Sequence, residues 1–421
     1  MHTASFSTRF AYSIALLGAL LLAPAAARAS ADTSADAAQR THKRLAPLVE
    51  LAKQNAPEVA IAKASLTSSR SALQNAKLLP FGNPYLEVTA ERGGKRVTKD
   101  VSVNSSLWLP VEVSGQTSAR AREAREFVAL HSAFVDQTRA QAAARLVRAY
   151  GAAAVSNERI KTLSELLTNA RSEAELLAER VRAGDAVQQD ASLSAVEAAR
   201  HEVMLAETRA ERLQAGRELA EVLGRDLGEA ADSITPPTLS RADLAALDVK
   251  KIPRARALQA EARFHASSSE RLRREGQTPI SVGLVAGRGD LGEARLGGGL
   301  AYALPVFRAN RPERARATAE STRALSEKRV HEAVVAQRLQ RLQSEQQQVM
   351  QALAALTSSA LPAAESALKA TQETYAAGKA ELLAVLLTRR ELSMLSLRRL
   401  ELLDRSWQIA SEYVALTGEL P

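Results

Sequence analysis

The sequence predicts a mainly α protein with a small β part, built as a duplicated unit of helix, β-hairpin and long helical hairpin. Three observations carry this reading. Aromatic residues make up only 4% of the chain while apolar residues reach 46%, a balance that suits long packed helices better than a globular enzyme core. Two stretches of period-two alternation interrupt otherwise helical patterning. The chain-breaking residues also fall in register: Pro57 and Pro253 lie 196 residues apart, Pro84 and Pro279 195, Pro110 and Pro305 195, Gly184 and Gly378 194, and Gly224 and Gly418 194. Similarity among alanine-rich helices alone would not align breakers from different elements, so the chain is read as a duplication.

Residues 1–29 read as a secretory signal peptide. Arg9 precedes an apolar run from Phe10 to Leu22, and small residues follow, with cleavage expected between Ala29 and Ala31. The run is too short to span a bilayer as a helix. Its removal takes away two arginines and no acid, so the net charge falls from +9 to +7. Lysine and arginine alternate with glutamate on helical faces (Arg120, Arg122, Glu123, Arg125, Glu126), the pattern of a solvated face. No basic stripe carries stacking aromatics, so nucleic acid is not an expected partner. Cysteine is absent, which excludes disulfides and a lipid-modified N-terminal cysteine. Stability must come from packing or oligomerisation.

After a flexible segment at 30–42, the first repeat covers 43–224. A helical pattern ends in the breaker cluster Leu78 to Pro84. From Tyr85 to Leu109 the period becomes two: Leu86, Val88 and Ala90 oppose Glu87, Thr89 and Glu91, and Val101, Val103, Leu107 and Leu109 oppose Ser102, Asn104 and Ser106. This predicts a hairpin over 85–109, turning at Gly93-Gly94, with one greasy and one wet face. A helix over 117–183 follows, on the order of 100 Å long at the standard rise, with a return helix over 187–223. A linker at 225–252 contains Pro236-Pro237. The second repeat, 253–421, restates the pattern, with hairpin strands over 280–304 and long helices over 311–377 and 381–416.

In the last helix, Leu395, Leu402, Ile409 and Leu416 recur every seven residues. Leu386, Leu400, Trp407 and Val414 form a second set, broken by Ser393. The two sets lie about 140° apart around the helix, which suits a stave with a neighbour on each side. The strands have the length of tilted membrane strands, with aromatics near their ends at Phe81, Tyr85, Trp108, Tyr302 and Phe307. These five are the expected membrane-interface aromatics. An open sheet leaves backbone groups unpaired in lipid, so several chains must pool their strands, and three copies would supply twelve.

These residues resemble the TolC family of outer-membrane efflux proteins over the whole mature chain. The resemblance rests on Asn83-Pro84, on Leu109-Pro110 with Glu112 and Gly115, on Ala303-Leu304-Pro305-Val306-Phe307 with Asn310-Arg311, and on Tyr375 with Gly378 before Leu382-Leu383. Within the family, the stretch Leu109 to Gly115 is most similar to the heavy-metal-efflux branch. The resemblance implies a homotrimer in which a twelve-stranded barrel crosses the outer membrane and an α-helical barrel continues into the periplasm. It also implies helix tips that meet a periplasmic adaptor, which joins the channel to an inner-membrane pump. Pro110 and Pro305 become the strand-to-helix junctions, and Gly184, Gly378, Lys379, Leu382 and Leu383 the adaptor-contact tips. Copied by threefold symmetry, Asp185 and Asp190 would ring the periplasmic mouth as a gate. A turn former is the plainer role for both.

No catalytic, cofactor or metal residues are expected. Gly287 to Gly292 satisfies G-x-G-x-x-G, but a dinucleotide site needs a helix directly after it, and a strand pattern follows. The six histidines stand apart, without ligand spacing. Asn310 with Glu313 and Pro312 reads as a capped helix start. The cluster Arg308, Arg311, Arg314 and Arg316 would lie where barrel meets tunnel, either against anionic headgroups of the inner leaflet of outer-membrane lipid or, equally, as a solvated helix face. The leading expectation is therefore a passive exit duct for small molecules or metal cations. The alternatives are a periplasmic adaptor, which would carry one helical hairpin inserted in a β-rich domain, and an exported coiled-coil scaffold, which would leave the strands unexplained.

Overall fold

A computed structural model describes residues 40–76, 81–92, 101–184, 186–225, 234–239, 247–288, 293–304 and 310–421. The signal peptide, the Gly93-Gly94 turn, Asp185, Pro305, Phe307 and Arg308 lie outside them.

The chain forms two compact units. One takes Met1–Pro57, Arg139–Leu247 and Arg338–Pro421, and the other takes Glu58–Thr138 and Asp248–Gln337. The units do not follow the two repeats, because each draws a segment from both. The physical reason in the second unit is strand pairing: both hairpins enter one sheet, so neither repeat closes on itself.

Helix α1 spans 40–55 and buries Leu45, Val49 and Ala52, one face at helical spacing. Residues 40–42, expected to be loose, begin this helix. It stops before Pro57, which has no N–H to donate and restricts the residue ahead of it. Pro57 then opens α2 (Pro57–Ala76).

Strands β1 (Tyr85–Arg92) and β2 (Val101–Val111) pair antiparallel, as do β3 (Ile280–Arg288) and β4 (Ala294–Tyr302). Strand β2 also pairs β3, which gives one four-stranded sheet in the order β1-β2-β3-β4. Its two edges are β1 and β4.

Between the hairpins run α3 (Gln116–Arg182) and α4 (Gln188–Leu223). After them come a short 3₁₀ turn, Val249–Lys251, and α5 (Pro253–Glu275). After the second hairpin, the helix expected over 311–377 is interrupted. It runs as α6 (Arg311–Ala355), a π-helical turn Leu356–Ala360, and α7 (Leu361–Ala376). The Leu361 N–H bonds to the carbonyl of Leu356, five residues back. Pro362 explains the interruption, because a proline inside a helix lacks its donor and crowds the carbonyl four residues earlier. Helix α8 (Leu382–Thr417) returns and ends at Gly418, φ +79°. No helix among the described residues is long and apolar enough to cross a membrane.

In the first unit, Trp407 of α8 is fully buried and donates its indole N–H to the carbonyl of Ile234 at 3.0 Å. Both seven-residue sets of α8 are buried or half-buried. Ser393, which breaks one of them, is buried with its hydroxyl returned to the Arg389 carbonyl at 2.9 Å. Helix α3 is buried nearly all round between Ala140 and Val155, where alanine lets neighbours approach closely. In the second unit, Leu130 and Ala133 of α3 pack on Ala257 and Ala260 of α5, joined by Phe134 and Phe264.

Candidate channel-lining face and helix tips

The strand register assigns every sheet side chain to one of two faces. Leu86 lies opposite Leu107, Leu107 opposite Leu284, and Leu284 opposite Gly298. With alternation along each strand, one face collects Leu86, Val88 and Ala90; Val103, Leu107 and Leu109; Val282, Leu284 and Ala286; and Leu296, Leu300 and Tyr302. This face is mainly apolar and exposed: Leu296 is 84% accessible, Leu300 78% and Leu284 64%, and the one serine on it, Ser105, donates its hydroxyl to the Ala286 carbonyl at 3.3 Å. The other face carries Glu87, Thr89 and Glu91, then Ser102, Asn104 and Ser106, then Ser281, with glycines on β3 and β4. An apolar face of this extent is unstable in water and calls for a cover. Two unpaired edges beside it call for further strands.

Four of the five interface aromatics are among the described residues, and they divide between these faces. Phe81 bridges Val111, Val111 pairs Ile280, and Ile280 pairs Tyr302, so Phe81 and Tyr302 mark one rung of the apolar face at opposite edges of the sheet. Tyr85 pairs Trp108, and both lie on the polar face. Trp108, expected in an interface band, therefore stands with Tyr85 on the opposite face from Phe81 and Tyr302. Its ring lies across the sheet where Cβ atoms on two paired glycines would stand, 2.4 Å from that position at Gly283 and 2.8 Å at Gly299. Its indole N–H donates to Ser106 Oγ at 2.9 Å. Only glycine at both positions leaves room for the ring. One signal was present in the sequence, since Trp108 shares its parity with Ser102, Asn104 and Ser106.

At the first strand-to-helix junction, Pro110 pairs Ser281 inside β2, and its carbonyl accepts the Gly82 N–H at 2.8 Å. Glu112 follows and takes both arms of Arg120, at 2.5 and 2.7 Å, and the Thr117 hydroxyl at 2.6 Å. The Arg120 hydrogen bonds hold the Glu112 carboxyl below its usual range, against the opposing effect of burial. Gly115 turns the chain with φ +76°. At the second junction Asn310 adopts φ +51°, a left-handed conformation that asparagine tolerates. Its side chain donates to the Leu272 carbonyl at 3.1 Å, so it ties α6 to α5 and does not form the expected capping box.

At the opposite ends of the long helices, Gly184 and Gly378 adopt φ +83° and +70°, and each N–H closes the last helical turn. Lys379 and Leu383 are exposed. Leu382, expected at the docking surface, is only 7% accessible. It packs with Leu177 and Val181 of α3, Ala191 of α4, and Tyr375 of α7, so it fastens the two hairpins together. Asp190 sits half-buried in the first turn of α4, where the helix dipole favours a carboxylate without any gate. Arg180 donates to the Tyr375 hydroxyl at 3.0 Å, and Arg389 pairs with Glu173. Burial pulls the Arg389 guanidinium down from its usual value. Arg180 and Tyr375 are 195 residues apart, the spacing of the repeat, so near-equivalent positions of the two repeats meet. Sequence reasoning missed both pairs, although that spacing pointed to the first.

Among the described residues no group of histidine, cysteine and carboxylate side chains could hold a metal ion. Gly287 and Arg288 end β3 and β4 begins at Ala294, while Gly289 to Gly292 lie outside the described residues.

No family model matches the chain. It is similar to the cobalt-zinc-cadmium resistance protein CzcC of Cupriavidus metallidurans, 26% identical over 360 residues, which is 84% of each chain. Among solved structures, the outer membrane protein VceC of Vibrio cholerae superimposes with a TM-score of 0.70 at 19% identity, covering 90% of this chain and 97% of that one. The chain has the TolC-family fold. The open-state outer membrane channel MtrE of Neisseria gonorrhoeae aligns at a TM-score of 0.67 and 16% identity, with 88% of each chain covered. In a TolC-type fold the helices belong to a helical barrel and the small sheet to a β-barrel.

Proposed function

We propose that the chain is the outer-membrane channel component of a tripartite efflux system, a passive exit duct driven by an inner-membrane pump. The sheet is the observation that carries this reading. It has one mainly apolar face, which lipid would cover, one polar face, which would line the bore, and two open edges, β1 and β4, that need partners. A ring of copies satisfies all three features at once, with β4 of one copy against β1 of the next. Three copies pool twelve strands, a size within the range of known membrane barrels. The paired helix tips, with Lys379 and Leu383 exposed beside Gly378, are the surface offered to a periplasmic adaptor. The name of CzcC speaks of cobalt, zinc and cadmium, so divalent metal cations are one cargo class for this channel.

Electron microscopy of detergent-extracted protein, combined with membrane fractionation, tests the reading. The expected result is a threefold particle with a lumen in the outer-membrane fraction. A monomer in the soluble fraction would overturn it.

A further inference from the structure

We infer that the bore of the β-barrel carries a recognition station for amphiphilic organic cations, built from the face of Trp108, the ring of Tyr85 and the carboxylate of Glu87. The inference rests on the channel reading above, because it needs the polar face to line a lumen.

The arrangement is specific. Trp108 is laid over the polar face by Gly283 and Gly299, which remove the two side chains that would displace it. Its indole edge is tied to Ser106 Oγ, so the ring is held at both ends. The ring thus lies against the strand backbone at Gly283 and Gly299, and Trp108 is half-buried, so part of it stays open on the polar side. Tyr85 stands directly opposite Trp108 on β1, and Glu87 directly opposite Ser106. Glu87 thus lies one step along the same face, about 7 Å from the aromatic rung. Glu87 is exposed and makes no ion pair among the described residues. The π faces of tryptophan and tyrosine attract cations with apolar substituents, and a nearby carboxylate adds charge attraction. A hydrated divalent metal ion has little use for an indole face, so this constellation points to an organic cation. Each partner contributes weakly, which suits a conduit, where a site must release what it holds.

Single-channel current through the purified channel in a planar bilayer tests this, with tetraphenylphosphonium chloride added on the barrel side. The wild-type channel is expected to show reversible block. Trp108→Leu is expected to raise the half-blocking concentration about three- to ten-fold, while Trp108→Phe, which keeps a π face, stays within about two-fold. Glu87→Gln, an exchange on an exposed side chain, is expected to weaken block by about three-fold and carries the test if Trp108→Leu does not assemble. Tetraphenylborate, an anion of the same shape, is expected to block poorly. Equal block by both ions, or block unchanged in Trp108→Leu or in Glu87→Gln, would overturn the station, as would block by zinc ion alone. A protein that assembles but never conducts would instead overturn the channel reading, and the station with it.

Discussion

Gly151 of α3 lies beneath the indole of Trp407: a Cβ at this glycine would stand 2.4 Å from Trp407 Cγ and 2.6 Å from Trp407 Cβ. The contact lets two long helices approach at a buried tryptophan, with Tyr150 alongside at 5.6 Å between ring centroids.

Gly151→Ala therefore overpacks a fully buried site. A destabilisation of about 1–3 kcal/mol is expected despite the higher helix propensity of alanine. Thermal unfolding followed by circular dichroism measures it; an unchanged or raised melting temperature would contradict the packing described here.

The tip contacts predict a change in conductance. Tyr375→Phe removes the hydroxyl that accepts from Arg180, a loss of about 1–2 kcal/mol. Glu173→Gln leaves the half-buried Arg389 without its charge partner. Both variants are expected to raise single-channel conductance over wild type, and the double variant more than either alone. Conductance at the wild-type level in all three would show that these pairs do not restrict the pore.

The sheet faces predict opposite outcomes for neighbouring positions. Leu284→Arg places a charge in the middle of the apolar face and is expected to cost about 2–4 kcal/mol of membrane stability. Val285→Arg, one residue on and facing the polar side, is expected to assemble close to normally. The yield of heat-resistant oligomer from membranes compares the two, and equal yields would reject the assignment of faces.

Glu112 predicts an acid dependence. Its folded carboxyl lies below the ordinary value of 4.5, chiefly through Arg120, so its contribution is fully present above that value and is lost as the pH falls through the folded value. Glu112→Gln is expected to cost about 1 kcal/mol at neutral pH, since the pair is partly exposed. The gap between variant and wild type should close below pH 4.5 in denaturant titrations. Glu270, held down to about 2 first by Arg273 and then by Arg274, retains its charge through that window and serves as an internal contrast.

Much of the fold was legible because it follows from local rules. The matched breakers announced two repeats, and the alternation at Leu86, Val88 and Ala90 announced one greasy face. Helix periodicity pointed to two seams on α8, and both are buried or half-buried. The site was less legible. Trp108 was taken with the strand-end aromatics, although its parity with Ser106 already put it on the polar face. The glycines that admit its ring come from strands more than 170 residues away, beyond any local pattern. Leu382 looked like a tip residue because it follows the turn glycine, and only packing shows that it faces the other hairpin. The π turn at Leu356–Ala360 was foreshadowed by Pro362 alone.

The sequence by itself determined the period of each element, the places where elements stop, and the duplication, because these depend on backbone donors, side-chain spacing and the steric limits of proline and glycine. Tertiary structure alone decided that β2 pairs β3 and that the compact units cut across the repeats. It also decided that Arg180 meets Tyr375 and that one tryptophan lies over the polar face of the sheet while the other fills a core. Those outcomes depend on which distant surfaces come together. That choice is made by burying apolar area and pairing strand edges over the whole chain, which no window of sequence contains.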